Sequence, residues 1–244
     1  MDVFVNNIKF DVPFDVSSIT LGKYVEYYEM FGRELDVQLN EILKRDYKKI
    51  KAEEFLEIDD TDASLFLQMD LDDHLNNEAL AWYSFFTGAD LFEVKEQPYI
   101  QPLLNQYRVF RYLLKESMEA VQSYPSDFDW RDEIWTIQNF TVNPASEMTF
   151  NEIITSREIM RQIHKLSKGK WDAMPYLCAI FFRKKGERFS DELVQLDGER
   201  MNLMNELPLD YALRVAFFLT SSALIWMETL VSSESPEVET ASLN

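Results

Sequence analysis

The side chains that most often do chemistry are scarce in this chain. It carries two histidines, His74 and His164, and one cysteine, Cys178. A single thiol makes neither an internal disulfide nor a cysteine-based zinc site, and two distant histidines leave little for a metal centre or a triad. Cys178 stands in PYLCAIFF, where apolar neighbours raise a thiol's pKa and make it inert, so a core role is expected. His164 falls four residues after Met160, beside the apolar face of a helical pattern, with no carboxylate or second histidine at helical spacing to orient it. His74, among Asp72, Asp73 and Asn76, reads as a surface residue.

Carboxylates are abundant instead. Asp plus Glu number 43 against 24 Lys plus Arg, a net charge of −19. That balance argues against a general DNA- or RNA-binding surface, which needs clustered cations to release counterions. Ala52 to Val94 holds 12 acidic residues and no Lys or Arg. An EF-hand requires Gly at its sixth position, but frames starting at Asp60 and Asp70 place Leu65 and Leu75 there. The stretch therefore reads as a solvated acidic face, with EEFLEIDDTD (53–62) an exposed strand or loop. Pairs such as Asp129 and Asp132 are expected by chance among so many acids. No G-x-S-x-G, Walker-type or G-x-G-x-x-G motif occurs, and six glycines leave few phosphate-cradling loops. No catalytic, cofactor-binding or metal-ligating residue is assigned, and the reading is non-enzymatic.

Val3–Val5 and Ile8–Val12 alternate around Asn6-Asn7, a pattern that predicts a β-hairpin with a two-residue turn. Thr20 is placed to cap a helix carrying Leu21, Tyr24, Val25, Tyr28 and Phe31, with Gly32 as its stop. A second helix covers 33 to about 51 and ends in basic residues that suit the dipole. Asn76 or Asn77 is a candidate cap for a helix with Leu80, Ala81, Phe85 and Phe86, ended by Gly88, and Asp90 starts a short turn. A long amphipathic helix follows Pro98 or Pro102, with its stripe on Ile100, Leu103, Leu104, Tyr107, Phe110, Leu114, Met118 and Val121.

Tyr124-Pro125-Ser126-Asp127 breaks that pattern and is the expected boundary between two halves. The first, 1–124, is the hairpin plus helices; the second, 125–231, is helical with one or two strands; 232–244 is an apolar-poor tail, disordered or ordered by a partner. A strand over Ile134 to Val142 is expected to join the N-terminal sheet. Thr149-Phe150-Asn151-Glu152 is a capping box, with Met148 stapling onto Ile153. That helix runs to about Ser167; further helices cover Trp171 to Phe182 and Asp210 to Leu230, with a turn at 183–188 and a cap at Ser190. The fold class is α+β, mainly helical, with a small antiparallel sheet from the N-terminal hairpin.

No targeting segment is expected at Met1-Asp2-Val3, and the most apolar run, 215–227, is shorter than the roughly 20 residues that span a bilayer. The expected compartment is a reducing cytosol, or a particle assembled there. Two features stand out. Basic patches near 44–51 and around Lys165, Lys168, Lys170, Arg183, Lys184, Lys185 and Arg188 interrupt the acidic background. Aromatic residues are dense, with Phe pairs at Phe85-Phe86, Phe181-Phe182 and Phe217-Phe218, and with Trp171 ahead of the second pair. The pairs fit a packed core, yet adjacent helical residues lie about 100° apart, so one ring of each pair can face a partner.

Together these segments resemble the tail-assembly chaperones and related small tail or baseplate-hub proteins of tailed bacteriophages. The carriers are IKFDVPFDVSSITLGKYVEYYE, ALAWYSFFTGADLFEV with PLLNQYRVFRYLL, and KWDAMPYLCAIFFRKKGERFSD with ERMNLMNELPLDYALRVAFFL. In the last pair the matching positions are Arg183, Gly186, Glu187, Arg200, Leu207, Pro208, Ala212, Ala216, Phe217 and Phe218. The resemblance covers roughly 1–32, 78–115 and 170–220. It implies non-enzymatic work in the host cytoplasm or the virion tail: binding a tape-measure-like or hub component through apolar surface, or joining the tail as a minor virion part. Phage tail proteins are the implied partners, without direct nucleic-acid or membrane contact, and homo-oligomerisation stays open. Two other classes stay open: an acidic decoy or nucleic-acid mimic built on 52–94, and an enzyme with a carboxylate-held metal, for which no ligand set has the right spacing.

Overall fold

The computed structural model describes residues 2–5, 8–46, 60–97, 100–119, 126–138, 149–165, 170–190, 193 and 198–215. Phe217, Phe218, the 232–244 tail, Met148, Asn143-Pro144 and the side chain of His164 lie outside the described residues, as does most of 53–62.

The chain folds as a mainly helical α+β protein. It opens with a hairpin, β1 (Asp2–Val5) and β2 (Ile8–Asp11), whose register pairs Val5 with Ile8 across a two-residue connection. After a short 3-10 turn at Val16–Ser18, Thr20 caps α1 (Leu21–Tyr27), its hydroxyl accepting from the Lys23 amide at 3.3 Å. Gly32 does not stop this helix. The chain passes through a π-helical turn, Tyr28–Gly32, straight into α2 (Arg33–Lys44). The ring of Tyr28 lies back over Gly32, so close that a Cβ there would sit 2.3 Å from Cδ2. The glycine gives this ring room rather than ending the helix.

Asn76 and Asn77 cap nothing either. They lie inside α3 (Asp60–Thr87), 28 residues long, which also absorbs 60–62 of the expected acidic loop. Gly88 ends it in the left-handed region at φ 69°. Asp90 then starts α4 (Leu91–Lys95) with a full capping box: its carboxylate accepts from the Phe92 amide at 2.8 Å, and its own amide donates to Glu93 at 3.2 Å. In α5 (Ile100–Glu119) the expected stripe faces inward, and Leu103, Leu104, Tyr107, Phe110 and Leu114 are all buried.

The second sheet has three antiparallel strands, β3 (Asp127–Trp130), β4 (Glu133–Ile137) and β5 (Phe182–Lys184), in that order. Two expectations are corrected here. The strand beginning near 134 pairs with β3 and β5, not with the N-terminal hairpin, and Arg183-Lys184 belong to a strand rather than a turn. A hairpin needs a partner of matching hand, and the turn supplies it: Arg131 and Asp132 both hold positive φ, 55° and 60°, which suits the twist of a two-residue hairpin.

The remaining helices are α6 (Phe150–Lys165), a 3-10 turn at Lys170–Ala173, α7 (Met174–Phe181), α8 (Glu199–Asn205) and α9 (209–215). Residues on both sides of 125 contribute to one hydrophobic core. The start of α1 is also tied by backbone to the start of α9: Leu21 donates to the Leu207 carbonyl at 2.8 Å, and Leu209 donates to the Ile19 carbonyl at 2.8 Å.

Glu152 does two jobs at the head of α6. It accepts from the Thr149 amide at 2.9 Å, completing one side of the expected capping box, and it forms an ion pair with Arg183 of β5. Both residues are buried, so Arg183 is withdrawn from the basic surface patch. Its neighbours Lys184 and Lys185 pair with Glu133 and Asp127. Arg200 of α8 donates to the Phe182 carbonyl at 2.8 Å and to Glu187 at 2.7 Å, with its guanidinium 4.5 Å from the Trp135 ring. Burial tends to pull its pKa down, and the net shift is downward although Glu187 opposes it. Arg183, Glu187 and Arg200 thus tie β5 and the turn after it to α6 and α8. Glu152→Ala strands a buried guanidinium and is expected to lower stability by about 3 kcal/mol in urea denaturation, whereas replacing both partners with Met costs less.

Candidate functional site: an aromatic cavity

α1, the π-turn, α2, α3 and α5 meet around Trp82, which is fully buried on α3. Its indole N–H donates to the Pro13 carbonyl at 3.3 Å. Tyr27 meets it edge-on at 4.8 Å, Phe86 lies at 4.6 Å and Phe110 at 4.8 Å. On the far side Trp171, from the turn before α7, meets Tyr24 at 4.6 Å with planes 73° apart. These rings are inclined rather than stacked, so they wall a concave space.

That space is a cavity of about 180 Å³. Tyr24, Tyr27, Tyr28, Trp82, Tyr107 and Trp171 supply its aromatic walls, and Asp36, Glu78 and Arg111 supply its charges. Asp36 is half-buried and the Arg111 side chain 42% exposed, so the mouth lies between α2 and α5. Helical spacing explains the convergence: Tyr24, Tyr27 and Tyr28 share one face of α1 and the π-turn, while Trp82 and Glu78 lie four apart on α3.

Burial lifts all four tyrosine hydroxyls above their ordinary range. Tyr24 is pushed up to about 12, and Tyr27, Tyr28 and Tyr107 are raised too. The walls therefore stay neutral at physiological pH. Tyr28 donates to Asp36 at 2.5 Å, an interaction that holds its proton more firmly still. Arg111 grips Glu78 with two bonds, Nε to Oε2 at 3.0 Å and Nη2 to Oε1 at 3.3 Å. His74 stands behind, its Nε2 3.6 Å from Glu78. Burial pushes the Glu78 carboxyl up, but His74 and Arg111 together outweigh it and hold the group below its ordinary range.

His74 is therefore not a surface residue. It is buried, because unbroken α3 turns it toward Glu78. Cys178 is fully buried as expected, and burial raises its thiol. Of the residues singled out for partner binding, the structure gathers Trp171, Phe85 and Phe86 around the Tyr27–Trp82 cluster, with both Phe rings half-buried. Phe181 and Phe182 sit in the core near β3, where Phe182 meets Phe128 at 5.2 Å, so neither offers a face to a partner in this fold. Sequence reading missed Tyr24, Tyr27, Tyr28, Tyr107, Asp36, Glu78 and Arg111 as one group. The tyrosine-dense run YVEYYE (24–29) was the available signal.

A second depression, about 460 Å³, runs between α2, α3 and α4. Phe31, Leu35, Leu80, Ala81, Leu91 and Phe92 line it, with Glu34 and Lys95 among its polar residues. Phe92 is 69% exposed and Leu91 42%. Among the described residues no group of three or more His, Cys, Asp or Glu is placed to hold a metal ion, and no helix is long and apolar enough to cross a membrane. No protein-family model, curated protein or solved structure matches the chain.

Two expectations follow from this geometry. Gly32→Ala drives a methyl into the Tyr28 ring, and thermal melts are expected to show a loss of about 1–3 kcal/mol as the wall shifts. Glu78 has a depressed folded pKa, so its ionised form stabilises the fold above the ordinary value of 4.5. The stability gap between the native chain and Glu78→Gln is expected to persist above that pH. It should shrink as the pH falls further, through the folded value, when measured by denaturation across an acid series.

Proposed function

We propose that this chain is a non-enzymatic assembly protein of a tailed phage that covers an apolar helical segment of a tail component, in keeping with the resemblance of its segments to tail-assembly chaperones. The observation that carries this reading is the open apolar groove between α2, α3 and α4, with Phe92 beside it in solvent. An amphipathic helix docks in such a groove by laying its apolar side chains along the floor. Phe92 is held ready for this by a rigid support: Gly88 turns the chain, the Asp90 capping box fixes α4, and buried Val94 anchors it beneath.

Hydrophobic burial would supply affinity, and the strong negative charge would keep the complex dispersed. Glu34 and Lys95, of opposite sign, offer the partner helix polar contacts without closing the groove. The test is co-expression with the tail proteins of the same genome, followed by affinity capture. One long helical tail component is expected to be retained, and Phe92→Glu is expected to release it while leaving thermal stability within about 0.5 kcal/mol. Retention of no tail component overturns the reading, as does retention unaffected by Phe92→Glu. Mass spectrometry of purified particles then separates an assembly factor from a virion-resident part.

A further inference from the structure

The cavity around Trp82 is separate from the α2–α3–α4 groove and calls for an occupant of different chemistry. We propose that it is a binding site for a quaternary ammonium head, a trimethylammonium group seated among the faces of Tyr24, Tyr27, Tyr28, Trp82 and Trp171. Three observations converge on it. The first is size: an apolar cavity of about 150 Å³ takes a benzene-sized ligand, and this one measures about 180 Å³. The second is the wall. Tyr24, Tyr27, Tyr28, Trp82 and Trp171 all line the space, and neighbouring rings among them are inclined by 47° (Tyr24–Tyr27), 75° (Tyr27–Trp82) and 60° (Tyr28–Trp171), so aromatic groups bound it from several directions. The face of an aromatic ring is its electron-rich side and attracts a cation within about 6 Å.

The third observation is the backbone. The π-turn at Tyr28–Gly32 forms part of the wall, and such turns inside helices are rare and frequent at functional sites. Here it places Tyr28 over Gly32 and brings both to the cavity.

The class of cation follows from what the lining offers. A primary ammonium needs three hydrogen-bond acceptors, and the two carboxylates of the lining are already engaged, Glu78 by Arg111 and Asp36 by Tyr28. A quaternary ammonium has no N–H to satisfy and is rewarded by ring faces alone. The lining also carries two carboxylates, Asp36 and Glu78, against one guanidinium, Arg111, which itself grips Glu78. The sign of the lining therefore favours a cation, with Asp36 near the mouth.

The same head group occurs on free choline-like molecules and on trimethylated lysine side chains. The experiment therefore has two arms, each with a neutral counterpart. The full chain is titrated with choline and with 3,3-dimethylbutan-1-ol, its uncharged isostere, by calorimetry and by tryptophan fluorescence, since Trp82 and Trp171 line the site. A glycine-flanked trimethyllysine peptide is compared with the same peptide carrying norleucine. The expected result is saturable binding of at least one cation at millimolar concentration or below, about tenfold tighter than its neutral counterpart. Binding of choline alone assigns a small-molecule source, and tighter binding of the peptide assigns a protein side chain.

Asp36→Asn, checked for folding by its thermal melt, is expected to weaken the cation several-fold and leave the neutral counterpart unchanged. The proposal is overturned if neither cation binds saturably, or if each neutral counterpart binds as well as its cation. Groove capture of a tail protein reads a different surface, so failure of one leaves the other standing.

Discussion

Aromatic rings prefer inclined, edge-to-face or offset arrangements to a face-to-face sandwich, and this preference shapes the centre of the molecule. Trp82 takes contacts from Tyr27, Phe86, Tyr107 and Phe110, drawn from α1, α3 and α5. Each tilted pair gains from quadrupole geometry beyond its buried area. The cavity lies among these inclined rings, with Tyr24, Tyr27, Trp82 and Tyr107 contributing both to the ring cluster and to the lining.

Charge is managed by placing a few pairs deep and leaving the rest in water. Glu152 with Arg183, Glu78 with Arg111, and Asp172 with Arg33 each join elements distant in sequence. Such pairs add modest net stability because desolvation offsets attraction, but removing one partner is severe. They link α6 to β5, α3 to α5, and the turn before α7 to α2, in a chain that is strongly acidic. Glu152 shows the economy of this arrangement, since one carboxylate both caps α6 and receives β5.

Features set by neighbours in sequence were legible without the structure. The Thr20 cap, the Asp90 start, the Glu152 side of the capping box and the stripe from Leu103 to Leu114 all depend on spacings of a few residues, and each is found in place. The β1–β2 pairing belongs with them. Features decided by distant partners were misread. Asn76-Asn77 carries a capping signal, yet packing along α2 and α5 keeps α3 continuous. The strand at 133–137 found its partners in β3 and β5, and nothing in its own alternation names them. The aromatic site escaped for a related reason: Tyr24 and Tyr107 are ordinary core residues one by one, and only the gathering of α1 and α5 around Trp82 of α3 makes them a wall. Phe181-Phe182 drew attention by adjacency, which carries no information about exposure.

The π-turn has one more effect, on the rod formed by α1 and α2 together. Arg33 donates to the Tyr28 carbonyl five residues back, so the backbone gains a residue relative to a regular α-helix. A rod of constant pitch shows its neighbours a single side. Widening one turn rotates everything downstream, so the segment that begins by presenting Leu21 and Tyr24 to the centre finishes by presenting Leu35 and Ile42 along the flank of α3. One uninterrupted piece of chain thereby does the work of two helices joined at a corner, with no loop between them to loosen the alignment of the chamber on one side and the cleft on the other.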